Sequence, residues 1–113
     1  MKRKLVYVAH PFGGDEKNRE ALRKEIADMV RQMPDADNYI FLNPLDFFIS
    51  VADVQDDDAV LKQCLDLLMR CDGVIFCGNW RKSRGARLEH LISSVLKMRR
   101  WEGTAEFLTD EKF

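Results

Sequence analysis

Apolar residues along this chain follow two different spacings. Short unbroken runs at Leu5–Ala9 (LVYVA), Tyr39–Leu42 (YIFL) and Val74–Cys77 (VIFC) have the length of buried strands. Between and after them, apolar positions recur at helical spacing. Leu22, Ile26, Met29, Val30 and Met33 form one such set; Val60, Leu61, Cys64, Leu65, Leu68 and Cys71 form the next; Leu88, Leu91, Ile92, Val95 and Leu96 form the third. Asp15 is placed to cap the first helix with Glu16 in its first turn, and the helix must end before Pro34. Asp56, Asp57 and Asp58 mark the start of the second, where negative charge suits the helix dipole. Phe47-Phe48-Ile49 reads as a short helical or packing segment. Gly103 breaks the chain, and Ala105–Leu108 reads as a last edge strand.

The order βαβαβα(β) predicts an α/β protein whose parallel sheet carries helices on both faces through right-handed crossovers. The expected form is a flavodoxin-like three-layer αβα sandwich with a small parallel sheet in the order 2-1-3-4, a single domain over residues 1–113. The first and third strands would then lie side by side. A ligand site is expected where the His10–Gly14 loop meets the Gly78–Gly85 loop.

Composition narrows the class of partner. The chain has 113 residues, 46% of them hydrophobic and 33% charged, which suits one ordinary globule. Its 18 basic and 19 acidic residues leave a net charge of −1, so neither a nucleic-acid polymer nor a membrane surface is an expected partner. No apolar run has membrane-spanning length and no signal peptide precedes the first strand. Cys64, Cys71 and Cys77 form no disulfide pattern and read as reduced thiols in a cytoplasm. A zinc site from Cys64, Cys71 and a histidine would match no standard spacing.

Candidate chemistry collects on three stretches. His10-Pro11-Phe12-Gly13-Gly14 is able to cradle a phosphate on backbone N–H groups, or is simply a tight turn that needs glycine. Asn79-Trp80-Arg81-Lys82-Ser83-Arg84 brings three cations, a hydroxyl, an amide and an aromatic together. Trp80 either stacks on a nucleobase or anchors a solvated loop. Glu89 stands one turn above Gly85, just off the apolar stripe, where an acid would look into the crevice over the loop. Its default role is a surface glutamate. Gly85 argues against that default, because glycine is costly in a first helical turn unless something approaches closely. His90 reads as an exposed or packing histidine, and Asp72 as the residue that fixes the turn before the third strand.

These residues resemble the nucleoside 2-deoxyribosyltransferase-like superfamily, especially its small bacterial and phage members. The likeness rests on Tyr7-Val8-Ala9-His10-Pro11-Phe12-Gly13-Gly14, on Cys71-Asp72-Gly73-Val74, and on Gly78 through Glu89 (GNWRKSRGARLE). It implies that Glu89 is the nucleophile at the anomeric carbon of a nucleoside or nucleoside 5′-monophosphate, with Tyr7 orienting it. It further implies that His10, Phe12, Gly13, Gly14, Asn79, Trp80, Ser83, Arg84 and Gly85 bind substrate, with no metal or cofactor, and that the chain assembles as a homo-oligomer. Relatives acting on free nucleosides carry an aspartate six residues before the nucleophile; those that hydrolyse 5′-monophosphates carry a serine, as here with Ser83. The chain departs from the pattern at Cys64, where characterised relatives carry an aspartate that handles the leaving base. That departure keeps a second reading open, a non-catalytic nucleotide-binding or sensor module of the same fold.

Overall fold

The computed structural model describes residues 2–110 and 113. Strand β1 (Lys4–Ala9) leads through the glycine turn into helix α1 (Glu16–Arg31), which Asp15 caps by accepting from the Lys17 N–H at 2.9 Å. Strand β2 (Tyr39–Leu42) follows, then two single-turn helices, α2 (Pro44–Phe47) and α3 (Ile49–Ala52). Helix α4 (Asp57–Met69) starts on the aspartate run, with Asp56 accepting from the Ala59 N–H at 2.8 Å. Strand β3 (Gly73–Phe76), helix α5 (Arg84–Val95), strand β4 (Arg99–Glu102) and helix α6 (Thr104–Thr109) complete the order.

All strand pairs are parallel and the order is β2-β1-β3-β4, as expected of a flavodoxin-like sandwich. Helices α1 and α6 cover one face; α4 and α5 cover the other. The pleat divides each central strand between them. Val6, Val8, Ile75 and Cys77 join Leu22, Met29, Trp101 and Phe107 in the first core. Tyr7, Ala9, Val74 and Phe76 join Leu68, Trp80 and Ala86 in the second. Gly73 is required where β3 begins, since a Cβ there would stand 2.6 Å from the Trp101 ring. Asp72 braces the two central strands at their base. Its N–H donates to the Leu5 carbonyl at 2.8 Å, and its Oδ2 accepts from the Leu5 N–H at 2.7 Å.

Two sequence expectations need correction. The edge strand is Arg99–Glu102, not Ala105–Leu108, which lies in α6. An edge strand with one covered side chain, Trp101, carries too little apolar signal to stand out, whereas Phe107 and Leu108 mimic a strand. The second correction concerns α5. Its buried line is Ala86, Glu89 and Ser93, while Leu91, Val95 and Leu96 are exposed. Glu89 therefore belongs to the inward face instead of flanking it.

Candidate active site

The predicted meeting of the two loops is present. Beyond the carboxyl ends of β1 and β3, the His10 ring packs on Gly78, whose φ of +63° suits glycine; a Cβ there would lie 2.8 Å from His10 Nε2. His10 Nδ1 donates to the Pro11 carbonyl at 2.7 Å, which fixes the ring. Gly13 and Gly14 take φ of +57° and +76°, so this glycine pair does the work of a left-handed turn. Both face open space. The Phe12 carbonyl accepts from the Asp15 N–H and from Asn18 Nδ2, each at 2.9 Å.

Beneath the loops, three side chains from three elements converge: Tyr7 from β1, Cys64 from α4 and Glu89 from α5. Glu89 is 6% exposed and Tyr7 fully buried. Burial pushes the Glu89 carboxyl up to about 7, while the Tyr7 hydroxyl partly offsets this. Burial, then the charge of Glu89, raises the Tyr7 hydroxyl well above its ordinary value. The same two causes push the Cys64 thiol up to about 11. The Tyr7 oxygen lies within electrostatic reach of both neighbours yet meets neither at hydrogen-bond geometry. A carboxylate here is poorly solvated, and near neutral pH both of its protonation states are populated. Such a group is suited to nucleophilic attack or to proton exchange. Cys71 does not join the cluster, because its thiol donates to the Leu67 carbonyl at 3.3 Å.

The Gly78–Gly85 loop is more tightly committed than its sequence suggests. Trp80 is buried, with the His90 ring stacked on it at 4.1 Å and the Arg81 guanidinium over it at 4.6 Å. Its indole N–H donates to Glu102 at 3.1 Å. With these partners Trp80 anchors the loop to α5 and β4. Ser83 caps α5, accepting from the Ala86 N–H at 3.3 Å. Arg84 donates to Asp58 on α4 at 2.8 Å. Asn79 is exposed, and its carbonyl closes the turn to Lys82. Gly85 faces Leu61, with a Cβ there meeting the leucine at 3.4 Å, an ordinary contact.

One residue takes the packing role its sequence reading allowed, and another gains a role that the sequence did not signal. His90 bonds Glu102 at 2.9 Å while stacking on Trp80, and so ties α5 and the loop to β4. Arg19, 7% exposed on α1, pairs with Glu16 at 2.5 Å, approaches Asp46 at 3.8 Å and lies over the Phe12 ring at 4.9 Å. It joins the loop after β1 to the segment after β2. The His90 contacts with Trp80 and Glu102 and the Arg19 approach to Asp46 join separate elements, which no local pattern marks.

A parallel sheet in the order 2-1-3-4, with a buried carboxylate beside its two central strands, defines a flavodoxin-like α/β domain. Within that class, the chain belongs to the family described as "Domain of unknown function (DUF4406)", whose model matches residues 4–99. Among solved structures it is similar to a 2-desoxiribosyltransferase from Leishmania mexicana, at a TM-score of 0.57 and 17% identity. The match covers 86% of this chain and 61% of that one, so this chain spans less than two thirds of that enzyme; the likeness is one of fold. No curated protein matches. Among the described residues, no helix is long and apolar enough to cross a membrane.

Proposed function

We propose that this chain breaks the N-glycosidic bond of a nucleoside or nucleoside 5′-monophosphate, with Glu89 as the nucleophile. A Glu89 oxygen bonds to the anomeric carbon as the carbon–nitrogen bond breaks, and the bonding pair leaves with the base. Water or a second base then takes the sugar and regenerates the carboxylate. Tyr7 orients Glu89. Phosphate or 5′-hydroxyl recognition falls to Ser83 and Arg84, with Arg84 exchanging Asp58 for the ligand, and His10 and the Gly13-Gly14 turn form the facing wall. The reading includes homo-oligomeric assembly and needs no metal or cofactor. The observation that carries it is the burial of Glu89 against Tyr7. The fold likeness to a 2-desoxiribosyltransferase supports it.

Cys64 favours a second reading. Its thiol, held at about 11 beside Glu89 and Tyr7, is a weak acid for a departing base. A pocket that binds nucleotides without turning them over would tolerate it. Free base and melting temperature, measured together across a panel of nucleosides and their 5′-monophosphates, separate the two. Base release with a melting shift supports the glycosidase; a shift without release selects the binding module; no shift and no release overturns both.

A further inference from the structure

Beyond the carboxyl ends of β3 and β4 lies a cavity of about 360 Å³, within the size range of small-molecule sites. Glu25 of α1, Cys77 after β3, Arg81 of the loop, Glu102 of β4 and Thr104 of α6 line it. Tyr7, Glu89, His10, Ser83 and Arg84, on which the proposed nucleoside chemistry rests, do not. The two carboxylates of the cavity differ in their commitments. Glu102 is engaged on both oxygens: Oε1 bonds His90 at 2.9 Å and Oε2 accepts from the Trp80 indole at 3.1 Å. Glu25 is not, since its Oε2 is buried without a hydrogen-bond partner. Burial, and then the Glu25 carboxylate beside it, hold the Cys77 thiol well above its ordinary value, so the thiol keeps its proton. A thiol is a weak donor with one hydrogen, whereas a carboxylate has about four acceptor sites. Cys77 therefore leaves most of the acceptor capacity of Glu25 unused.

A carboxylate oxygen shut away from water is costly unless a donor meets it. The same cavity also holds an unmatched cation. Arg81 is exposed, lies over the Trp80 ring at 4.6 Å and has no acidic partner among the described residues. The cavity thus offers one free anion and one free cation that do not pair with each other. Among the described residues, no group of three His, Cys, Asp or Glu side chains is disposed to hold a metal ion, so the donor set selects an organic cation for Glu25. We propose that this cavity binds a small zwitterion of the amino-acid class, with its ammonium on Glu25 and its carboxylate on Arg81. An ammonium brings three donors to the orphaned oxygen, and bonds between charged partners are the strong ones, more so where water is excluded. The planar guanidinium matches a carboxylate with paired N–H groups. The site does not use Glu89, so it stands or falls separately from the glycosidase reading.

Calorimetric titration of the full chain with glycine, β-alanine and γ-aminobutyrate tests it, because the three differ in the span between their charges. One or more of them is expected to bind. The alkylammonium ion and the carboxylate of matching length, each lacking one charge, should bind more weakly, on the order of tenfold or more. Glu25→Gln keeps the shape and removes the anion, and should weaken the zwitterion and the alkylammonium ion alike while circular dichroism stays unchanged. Arg81→Ala, at an exposed side chain that the fold can lose, should weaken the zwitterion on the same scale and leave the alkylammonium ion as it was; this variant decides the matter if Glu25→Gln fails to fold. No binding of any of the three, or zwitterion binding that survives Glu25→Gln or Arg81→Ala at wild-type affinity, overturns the site. An alkylammonium ion bound as tightly as the zwitterion overturns the amino-acid class. Displacement of the zwitterion by a nucleoside overturns the separation of this cavity from the Glu89 site.

Discussion

The two faces of the sheet are built from alternate residues of the same strands, yet they have different tasks. Under α1 and α6, Val6, Val8, Leu22, Met29, Trp101 and Phe107 form a closed hydrocarbon and aromatic core. Under α4 and α5, the positions that alternate with these carry Tyr7, and against it lie Glu89 and Cys64; Ser93 is fully buried beside them on α5. The first face is where folding free energy is gained, at roughly 1.5–3 kcal/mol for each large side chain taken from water. The second gives some of that up to hold a carboxylate and a hydroxyl that water would stabilise better. One strand thus supplies both a foundation and a reactive surface, and the pleat keeps them apart.

The largest expected effect that sharpens this contrast is on the polar face. Glu89→Gln keeps the shape and removes the anion, so base release should fall on the order of 10³-fold or more, with nucleotide affinity within a few fold. Chromatographic assay of free base beside calorimetric titration measures both. A variant releasing base at the wild-type rate would break the assignment.

On the opposite face the signature should invert. Leu22→Ala is expected to cost about 2–5 kcal/mol of stability by urea denaturation and to leave the rate per folded molecule unchanged. Tyr7→Phe deletes a buried hydroxyl whose approach to Glu89 and Cys64 falls short of full hydrogen-bond geometry, so stability should hold to within about 1 kcal/mol while base release drops. If Tyr7→Phe destabilises as much as Leu22→Ala, the two faces are not divided in this way.

The next effect depends on pH. Glu89 has a folded-state value of about 7 against 4.5 for an ordinary carboxyl. Below pH 4.5 the group is neutral in both folded and unfolded chains and no penalty exists. Between 4.5 and 7 the unfolded chain ionises first, so the fold loses stability as pH rises. Above 7 the loss is complete, at about 3 kcal/mol. Activity runs the other way, because attack requires the anion: it should climb through pH 7 and level off above it. Urea denaturation of wild type and Glu89→Gln at pH 4 and pH 8 isolates the stability part. Parallel curves for the two proteins would remove Glu89 as the source.

The smallest effect concerns the rim of the polar face. Ser83→Asp adds a negative charge at the start of α5, where the proposed 5′-phosphate sits. Monophosphate affinity should fall on the order of tenfold, with the free nucleoside spared. Wild type should bind the monophosphate more tightly, and that preference should shrink with added salt. Equal affinity for the two ligands in wild type would remove the phosphate role while leaving the glycosidase reading intact.

Strand order and the loops that meet over the site were legible because each rests on a local signal. Short apolar runs specify central parallel strands, and Gly13-Gly14 and Gly78 mark turns wherever they occur. Packing direction was harder to read. On α5 the leucines and valine look like a core stripe, and only the assembled sheet shows that Ala86, Glu89 and Ser93 face inward instead. A reading by hydrophobicity assigns the apolar side to the interior of the chain, and fails when a helix uses that side for another purpose. β4 was missed because a short edge strand can be held by one buried indole. Arg19 was missed because its contacts with Asp46 and Phe12 are made across the fold, and for the same reason the packing reading of His90 could not name Trp80 and Glu102 as its partners.

The Asp72 brace bears on how the chain reaches this state. β1 is made first but borders β2, whose register partner lies 35 positions later (Lys4 against Tyr39), and β3, tied to it by a bond between Leu5 and Asp72 across 67 positions. No local hairpin can satisfy its backbone. Contacts this distant in sequence slow folding, since a long loop must close before they form. During synthesis, LVYVA therefore emerges as an apolar strand with two unpaired edges. It stays so on one side until the ribosome has released the chain through Phe76. That interval is when this protein is most exposed to mispairing with another nascent copy, and when a chaperone that shields extended apolar segments would matter most.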